Sequence, residues 1–323
     1  MYPLFVNPPP GGTGKHRKIF TAFHRQRSGE GCIVTKRITD KRRRPRPAGL
    51  ATPTTSELTL ILGLLHKATG HDLSHYKKNS LSRRIKHRMG QLNIKKVDEY
   101  LHYLQEHSEE LPQLFLALLI NVTHLFRDPE VFALLQAEIL PQLFDQRPED
   151  ATFRVWVAGC ATGEEAYSIA ILLHEFRKAL PHRYTIQIYA TDLDDHAIAI
   201  ARAGRYPATI AQELSAERLR LYFVEEENGY RIIQEIREMV VFTVQNIITD
   251  PPLTALDLLS CRNVLIYLEP SLQHQLISIF HYALKPNGVL LLSPSESIGN
   301  HPDLFSVINR RWKLYRARHP AAP

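Results

Sequence analysis

Val155-Trp-Val-Ala-Gly-Cys-Ala-Thr-Gly-Glu-Glu-Ala-Tyr-Ser-Ile-Ala-Ile-Leu-Leu173 reads as a buried strand, a tight glycine turn and a helix that opens on two carboxylates. A second apolar strand, Thr185 to Ala190, runs into Thr191-Asp192-Leu193-Asp194. This succession predicts a nucleoside site at the carboxyl ends of parallel strands, where open α/β sheets hold ligands. The acids discriminate between ligands. A pyrophosphate turn offers glycines and a bare helix N-terminus, whereas Glu164 and Glu165 repel phosphate. They suit a ligand with a cationic head, such as S-adenosylmethionine with its amino group and sulfonium. The same text also fits an ordinary βα turn whose carboxylates are favoured by the helix dipole.

Outward from this turn, strands alternate with helices: strand 153–158, helix 164–178, strand 185–190, helix 194–203. Later come a strand near Val240 to Val244, strand Leu256 to Ser260, helix Ser271 to Leu284 and strand Gly288 to Leu292. Trp312 to Arg316 reads as an antiparallel edge strand. That order predicts a doubly wound, Rossmann-like sheet. Between Glu217 and Ile236, Leu221-Tyr-Phe-Val, a polar turn at Glu225 to Tyr230 and Arg231-Ile-Ile predict a small inserted hairpin.

Upstream, from Ser56 to about Gln146, the periodicity is helical throughout. Leu58, Leu60, Ile61, Leu64 and Leu65 make an apolar stripe that stops near Gly70. Leu81, Ile85 and Met89 recur every four residues, with Gly90 as the expected stop. Val97 to Leu104, Leu111 to Val122 and Pro129 to Leu143 supply further helices of a small bundle.

The chain's 323 residues leave room for two cores. Its net charge of +7 divides unevenly: residues 1–50 carry twelve Lys/Arg against Glu30 and Asp40, and the remainder is slightly acidic. Residues 1 to about 54, rich in Pro, Gly, Arg and Thr, predict a disordered or loosely held tail. Lys41 to Pro47 resembles a nucleic-acid contact, but no aromatic platform accompanies it, so nucleic acid is not an expected partner. Gly11 to Lys15 imitates a phosphate loop without its full spacing and is discarded. The longest apolar runs are too short to cross a bilayer and no secretory pattern opens the chain. Three cysteines without pairing or ligand spacing predict reduced thiols in the cytoplasm and no metal. Cys160 in the turn is either a reactive thiol or simply a small residue.

Asp192 ends its strand where a ribose would lie, while Asp194 offers either the same contact or a cap for the next helix. The glycines Gly159 and Gly163 and the late acid depart from the dinucleotide pattern. Asn246 follows a strand, and Asn263 with Arg262 interrupts an apolar run at the crevice, where polar groups are costly unless used. Asn121, Thr123 and Arg127 are polar groups in an apolar setting; they either serve a site or close one helix and cap the next, with Pro129 in its first turn.

Asn121-Val-Thr-His-Leu-Phe-Arg-Asp-Pro129, Gly159-Cys-Ala-Thr-Gly-Glu-Glu165, Ala190-Thr-Asp-Leu-Asp194, Cys261-Arg-Asn-Val-Leu-Ile-Tyr267 and Leu284-Lys-Pro-Asn-Gly-Val289 occur in order. With Tyr76-Lys-Lys-Asn-Ser-Leu-Ser-Arg-Arg84 they resemble the CheR-type chemotaxis receptor methyltransferases over about residues 56 to 317. The text around Asp250-Pro-Pro252 and Ser293-Pro-Ser-Glu-Ser297 most resembles the methyltransferase portions of CheB–CheR fusion proteins.

The resemblance implies methyl transfer from S-adenosylmethionine to glutamate side chains on the cytoplasmic helices of chemoreceptors. It implies a cofactor site of Asn121, Thr123, Arg127, Glu165, Asp192, Asn246, Ile247, Asn263 and Val264, with Arg127 and Tyr267 near the reacting centre. The receptor glutamate is already a nucleophile at neutral pH, so catalysis should be in-line positioning and desolvation, without a general base. Residues 66–96 carry nine Lys/Arg against Asp72. The resemblance implies that Lys77, Lys78, Arg83, Arg84 and Arg88 dock the acidic receptor helices, speeding encounter; a solvated helix face is the other reading.

The implied division is a basic tail over 1–54, a helical receptor-docking domain over 55–147, and a methyltransferase domain over 148–323 with its insert at about 217–236. The tail suggests a fragment, a mispositioned start or a remnant of a fused partner. Ala166 and Leu125 stand where the family has Pro and Phe. The alternatives are a small-molecule carboxyl methyltransferase, with no use for the basic helix, and a scaffold that senses S-adenosylmethionine without methylating.

Overall fold

The computed structural model describes residues 49–319 except 146, 149–150 and 181–183. The expectations for the basic tail, the discarded loop at Gly11 to Lys15 and Cys32 therefore lie outside the described residues. Four helices come first: α1 (Thr55–Thr69), α2 (Lys78–Gln91), α3 (Val97–Glu106) and α4 (Glu110–Leu118). Helix α1 starts because Thr54 and Glu57 form a reciprocal capping box, and it stops where Gly70 enters the left-handed region at φ 76°. Leu58, Ile61 and Leu65 of α1 pack with Leu81, Ile85 and Met89 of α2 and with Tyr100, Leu104 and Leu114 into one core. Gly90 does not end α2. The helix continues to Gln91, and the left-handed residue is Asn93 at φ 60°.

A helical stretch follows as α5 (Pro129–Leu134), a π turn over Leu135–Ile139, and α6 (Leu140–Phe144). Then come β1 (Phe153–Ala158), α7 (Glu164–Lys178), β2 (Ile186–Asp192), α8 (Asp195–Ala203), β3 (Arg205–Tyr206), α9 (Ala216–Tyr222), β4 (Phe223–Glu226), β5 (Gly229–Ile232) and α10 (Gln234–Arg237). The chain closes with β6 (Val240–Val244), β7 (Leu256–Cys261), α11 (Pro270–Ala283), β8 (Leu284–Leu292), β9 (Phe305–Asn309) and β10 (Leu314–Ala317).

Seven strands form one sheet in the order β6-β2-β1-β7-β8-β10-β9. The first five run parallel, and β10 and β9 pair antiparallel at one side. Successive residues of β1 alternate between two cores: Val155 and Val157 pack on one face, Trp156 and Ala158 on the other. A strand buried on both faces reads as a continuous apolar run, which is why β1 stands out in the sequence. The fold is thus the expected helical bundle followed by a Rossmann-like sheet.

Two expectations are corrected. The strand ending in Arg316 is not the edge; β10 lies second, and β9 outside it forms the edge. The insert is larger than a hairpin, because β3 adds to β5 and β4 in a three-stranded sheet, and residues 216–222 are helical.

Candidate functional site

The turn after β1 is built by glycines and by long-range backbone bonds. Gly159 N and Cys160 N both donate to Thr191 O, at 2.8 and 3.0 Å. Gly159 has φ 73°, and a Cβ built there would lie 2.3 Å from Val264 Cγ2, so only glycine lets the β7 loop come this close. The two carboxylates that open α7 separate cleanly. Glu164 is buried and accepts from the Thr162 hydroxyl at 2.7 and 2.9 Å, as a helix-start residue does. Glu165 faces the cavity, accepting from Ser260 Oγ at 2.7 Å and Arg262 Nη1 at 3.2 Å. Burial pushes the Cys160 thiol well above its ordinary value, so the turn holds it as a small side chain rather than a thiolate.

At the end of β2, Asp192 accepts from Ala161 N at 2.8 Å and from Asp194 N at 3.0 Å. Burial raises its carboxyl above the ordinary value, against these two backbone donors. Asp194 takes the capping role: it accepts from Ala197 N at 3.1 Å and from Asn121 Nδ2 at 2.5 Å.

The segment from Leu119 to Asp128 is not the helix end that its apolar text predicts. Helix α4 stops at Leu118, where Leu119 turns extended, and Leu119 to Thr123 and Arg127 of the following loop line the cavity. Phe126 and Asp128 adopt φ 49° and 59°. Arg262 ties this segment to the sheet, donating to Arg127 O at 3.1 Å and Asp128 Oδ2 at 2.5 Å. Arg127 Nη1 reaches Val122 O at 3.3 Å. Asn246 is partly the turn residue it resembles, its side chain accepting from Ile248 N at 3.0 Å.

One cavity of about 1050 Å³, open mouth included, gathers these groups. Asn121, Thr123, Arg127, Glu165, Asp192, Asn246, Ile247, Asn263, Val264 and Tyr267 all line it. The carboxyl ends of β1, β2, β6 and β7 form its floor, at the position where open α/β sheets take ligands. Its other wall holds Tyr76, which precedes α2, and Ser80, Leu81 and Arg84 of α2. Sequence reasoning missed Tyr76 and Ser80 in this role. It also missed Glu296, a buried carboxylate behind the β7 loop whose only signal was a lone acid just after the apolar strand Val289 to Leu292.

Residues 121–314 match the family described as "CheR methyltransferase, SAM binding domain", and residues 56–119 match "CheR methyltransferase, all-alpha domain". The chain belongs to the CheR methyltransferase family. It is 39% identical over 247 residues to an uncharacterized 104.1 kDa protein of Rhodobacter capsulatus, covering 76% of this chain and 26% of that one. The chain thus spans about a quarter of that relative's length. It is 31% identical to chemotaxis protein methyltransferase 1 of Pseudomonas aeruginosa, over 81% of this chain and 98% of the relative. A chemotaxis protein methyltransferase of Listeria innocua is 32% identical over 72% of this chain and 87% of its own. This CheR protein is a methyltransferase and takes S-adenosylmethionine. Its donor set fits that ligand: two cavity carboxylates, Glu165 and Asp192, beside a glycine turn.

The basic face of α2 proves less free than its charge suggests. Lys77 Nζ donates to Ile266 O at 2.8 Å, and Arg84 donates to Ala117 O and Leu119 O at 3.1 and 3.0 Å. Arg88 forks onto buried Glu110 at 2.6 and 2.8 Å. Lys78 and Arg83 are exposed.

Proposed function

We propose that this chain methylates glutamate side chains on the cytoplasmic helices of chemoreceptors, forming glutamate methyl esters in chemotaxis adaptation or related signalling. The observation that carries this reading is one cavity lined by the carboxylates Glu165 and Asp192 and by Ser80, Leu81 and Arg84 of α2, the helix that also exposes Lys78 and Arg83. Two relatives named as chemotaxis protein methyltransferases, matched over most of their length, support it. A small-molecule methyltransferase has no use for the exposed Lys78 and Arg83.

Bound S-adenosylmethionine supplies an electrophilic methyl group on a sulfonium. Asp192 would accept hydrogen bonds from the ribose hydroxyls, and Glu165 would hold the amino group. Asn121 and Thr123 would line the cofactor site, and Asn246-Ile247 with Asn263-Val264 would read the adenine edge or the ligand's carboxylate. Arg127 orients the carboxylate or the cofactor, and Tyr267 closes the reacting side. The receptor carboxylate arrives ionised, so these residues align and desolvate it, and none takes a proton.

We assign receptor docking to residues 55–147 and methyl transfer to residues 148–323. Lys78 and Arg83 carry the docking surface, since Lys77, Arg84 and Arg88 are held within the chain. Among the described residues no helix is long and apolar enough to cross a membrane, in keeping with a cytoplasmic enzyme that meets membrane-borne receptors from one side. Kinship with the methyltransferase portion of CheB–CheR fusions is supported by Asp250-Pro-Pro252, by Ser293 to Ser297 and by the match to part of a 104.1 kDa protein. Incubation with labelled S-adenosylmethionine and chemoreceptor membranes should give base-labile label on the receptors. Tight cofactor binding without label would favour the non-catalytic scaffold.

A further inference from the structure

We propose that Glu296 is a positioning residue for methyl transfer, holding the Asn263–Tyr267 loop against the cofactor. The inference rests on the reading that Asn263, Val264 and Tyr267 meet the cofactor and the reacting centre.

Glu296 is 6% exposed. Its Oε2 accepts from Ser293 N at 2.8 Å and Asn263 N at 3.1 Å. Its Oε1 accepts from Val264 N at 2.9 Å and Ile266 N at 3.3 Å. Among the described residues no Lys, Arg or His forms an ion pair with it. Four backbone donors therefore converge on one carboxylate without a cation, and three come from a single loop.

That loop needs such a partner. Strand β7 ends at Cys261, and the next donors leave the ladder with nothing to bond, which is costly when buried. Asn263 enters the left-handed region at φ 60°, so the chain reverses sharply. Glu296 supplies the missing acceptors and fixes how far the loop can move. Val264 is the consequence, because its Cγ2 fills the space that a Cβ on Gly159 would need. A small shift of Val264 would either collide with the cofactor turn or open a gap beside it.

The loop's carbonyl side is clamped as well. Lys77 N donates to Tyr267 O at 2.8 Å, Glu269 N donates to His75 O at 2.9 Å, and Lys77 Nζ donates to Ile266 O. Tyr76 and Leu268 form an antiparallel bridge. The strap His75–Lys77 is the root of α2, so the helix proposed to dock the receptor is bonded directly to the residue proposed to close the reacting site. Glu296 is the fixed side of that clamp.

The test uses Glu296→Gln in the full chain, an isosteric change that turns one acceptor oxygen into a donor facing backbone N–H groups. Cofactor Kd is read by calorimetry on folded protein, turnover on receptor membranes, and stability by urea unfolding. Loss of one charge-assisted hydrogen bond at the loop should raise cofactor Kd about tenfold or more, with turnover at saturating cofactor also reduced. Glu110→Gln serves as the structural comparison, since Glu110 is a buried carboxylate held by Arg88 and Tyr100 in the helical core. It should lose stability and keep the wild-type cofactor Kd. If Glu296→Gln likewise loses stability while keeping wild-type Kd and turnover, Glu296 is structural only and the proposal is overturned. Should Glu296→Gln not fold, Glu296→Asp keeps the charge but draws back by one methylene; a wild-type Kd there overturns the proposal equally. Asp192→Asn separates the two levels. If it keeps wild-type Kd, the site reading itself fails; if it loses binding while Glu296→Gln does not, only the positioning role falls.

Discussion

Replacing Arg262 with Met should show how much of the cofactor site is held by one buried guanidinium. The Arg262 side chain is 1% exposed and bonds Glu165, Asp128 and the Arg127 carbonyl at 3.2, 2.5 and 3.1 Å. Removing one partner of a buried pair typically costs about 3–5 kcal/mol, because the other charge stays buried alone. Asp128 is 36% exposed and remains solvated, so its share is that of a surface pair, about 0–1 kcal/mol. Glu165 is 14% exposed and keeps, among the described residues, only Ser260 Oγ as partner, so most of the penalty falls there. The expected loss is about 3 kcal/mol, out of a total of roughly 5–15 for a typical domain.

Urea unfolding of Arg262→Met against wild type measures it. Calorimetric cofactor Kd should rise in parallel, since Glu165 faces the cavity. The double variant Arg262→Met/Glu165→Gln removes the stranded charge, and should recover roughly 0.5–3 kcal/mol of what the single variant lost. A single-variant loss below about 1 kcal/mol, or a double variant no more stable than the single, would refute the argument that Arg262 neutralises Glu165.

Three further outcomes follow from the geometry. Gly159→Ala should lose about 1–2 kcal/mol to left-handed strain and about 1–3 to the overlap with Val264, with weaker cofactor binding. Gly70→Ala, at φ 76° with nothing within 4 Å, should show the strain alone; equal effects of both on cofactor Kd would remove the role given to close approach. Burial raises the folded Asp192 carboxyl above 3.8, so its contribution to stability is lost as pH rises from 3.8 through the folded value. Asp192→Asn should flatten that slope. Wild-type cofactor affinity should weaken as pH falls through the same window if the ionised Asp192 is the proposed ribose acceptor; a pH-independent Kd there contradicts the assignment. Charge reversal at Lys78 and Arg83 should slow receptor methylation about tenfold at low salt and leave cofactor Kd unchanged. Methylation at the wild-type rate would show that α2 does not dock the receptor.

The two walls of the cavity were not equally readable from the sequence, and the reason is physical. The cofactor wall is written locally. Gly159, Glu165, Asp192 and Asn263 each sit within a few residues of a strand end, and the strand announces itself as an apolar run because it is buried on both faces. The text leaves Asp192 and Asp194 equivalent as acceptors, and the cap on Ala197 N and the bond from Asn121 engage Asp194. The edge strand β9 escaped because Phe305-Ser-Val-Ile-Asn309 pairs only with β10 and mixes polar with apolar residues. Asn93 took the role expected of Gly90 because a glycine one residue from the end can remain helical when Leu92 N and Asn93 N still bond back to Arg88 O and Gly90 O.

The α2 wall is written in pairs too distant for any periodicity to show. Arg88 meets Glu110 22 residues later, Arg84 meets the carbonyls of Ala117 and Leu119 33 and 35 residues later, and Lys77 meets Ile266 across 189 residues. A charge count sees nine cations over residues 66–96; only the folded chain shows which have already found acceptors. The same holds for Glu296, separated by 33 residues from the Asn263 amide that it anchors. A cation already bonded to a carbonyl contributes to fixing α2 against Ile266 or the end of α4 rather than to attracting a partner. The basic helix therefore joins two roles: Lys78 and Arg83 are exposed, while Lys77 at its root bonds Ile266 and Arg84 bonds the end of α4.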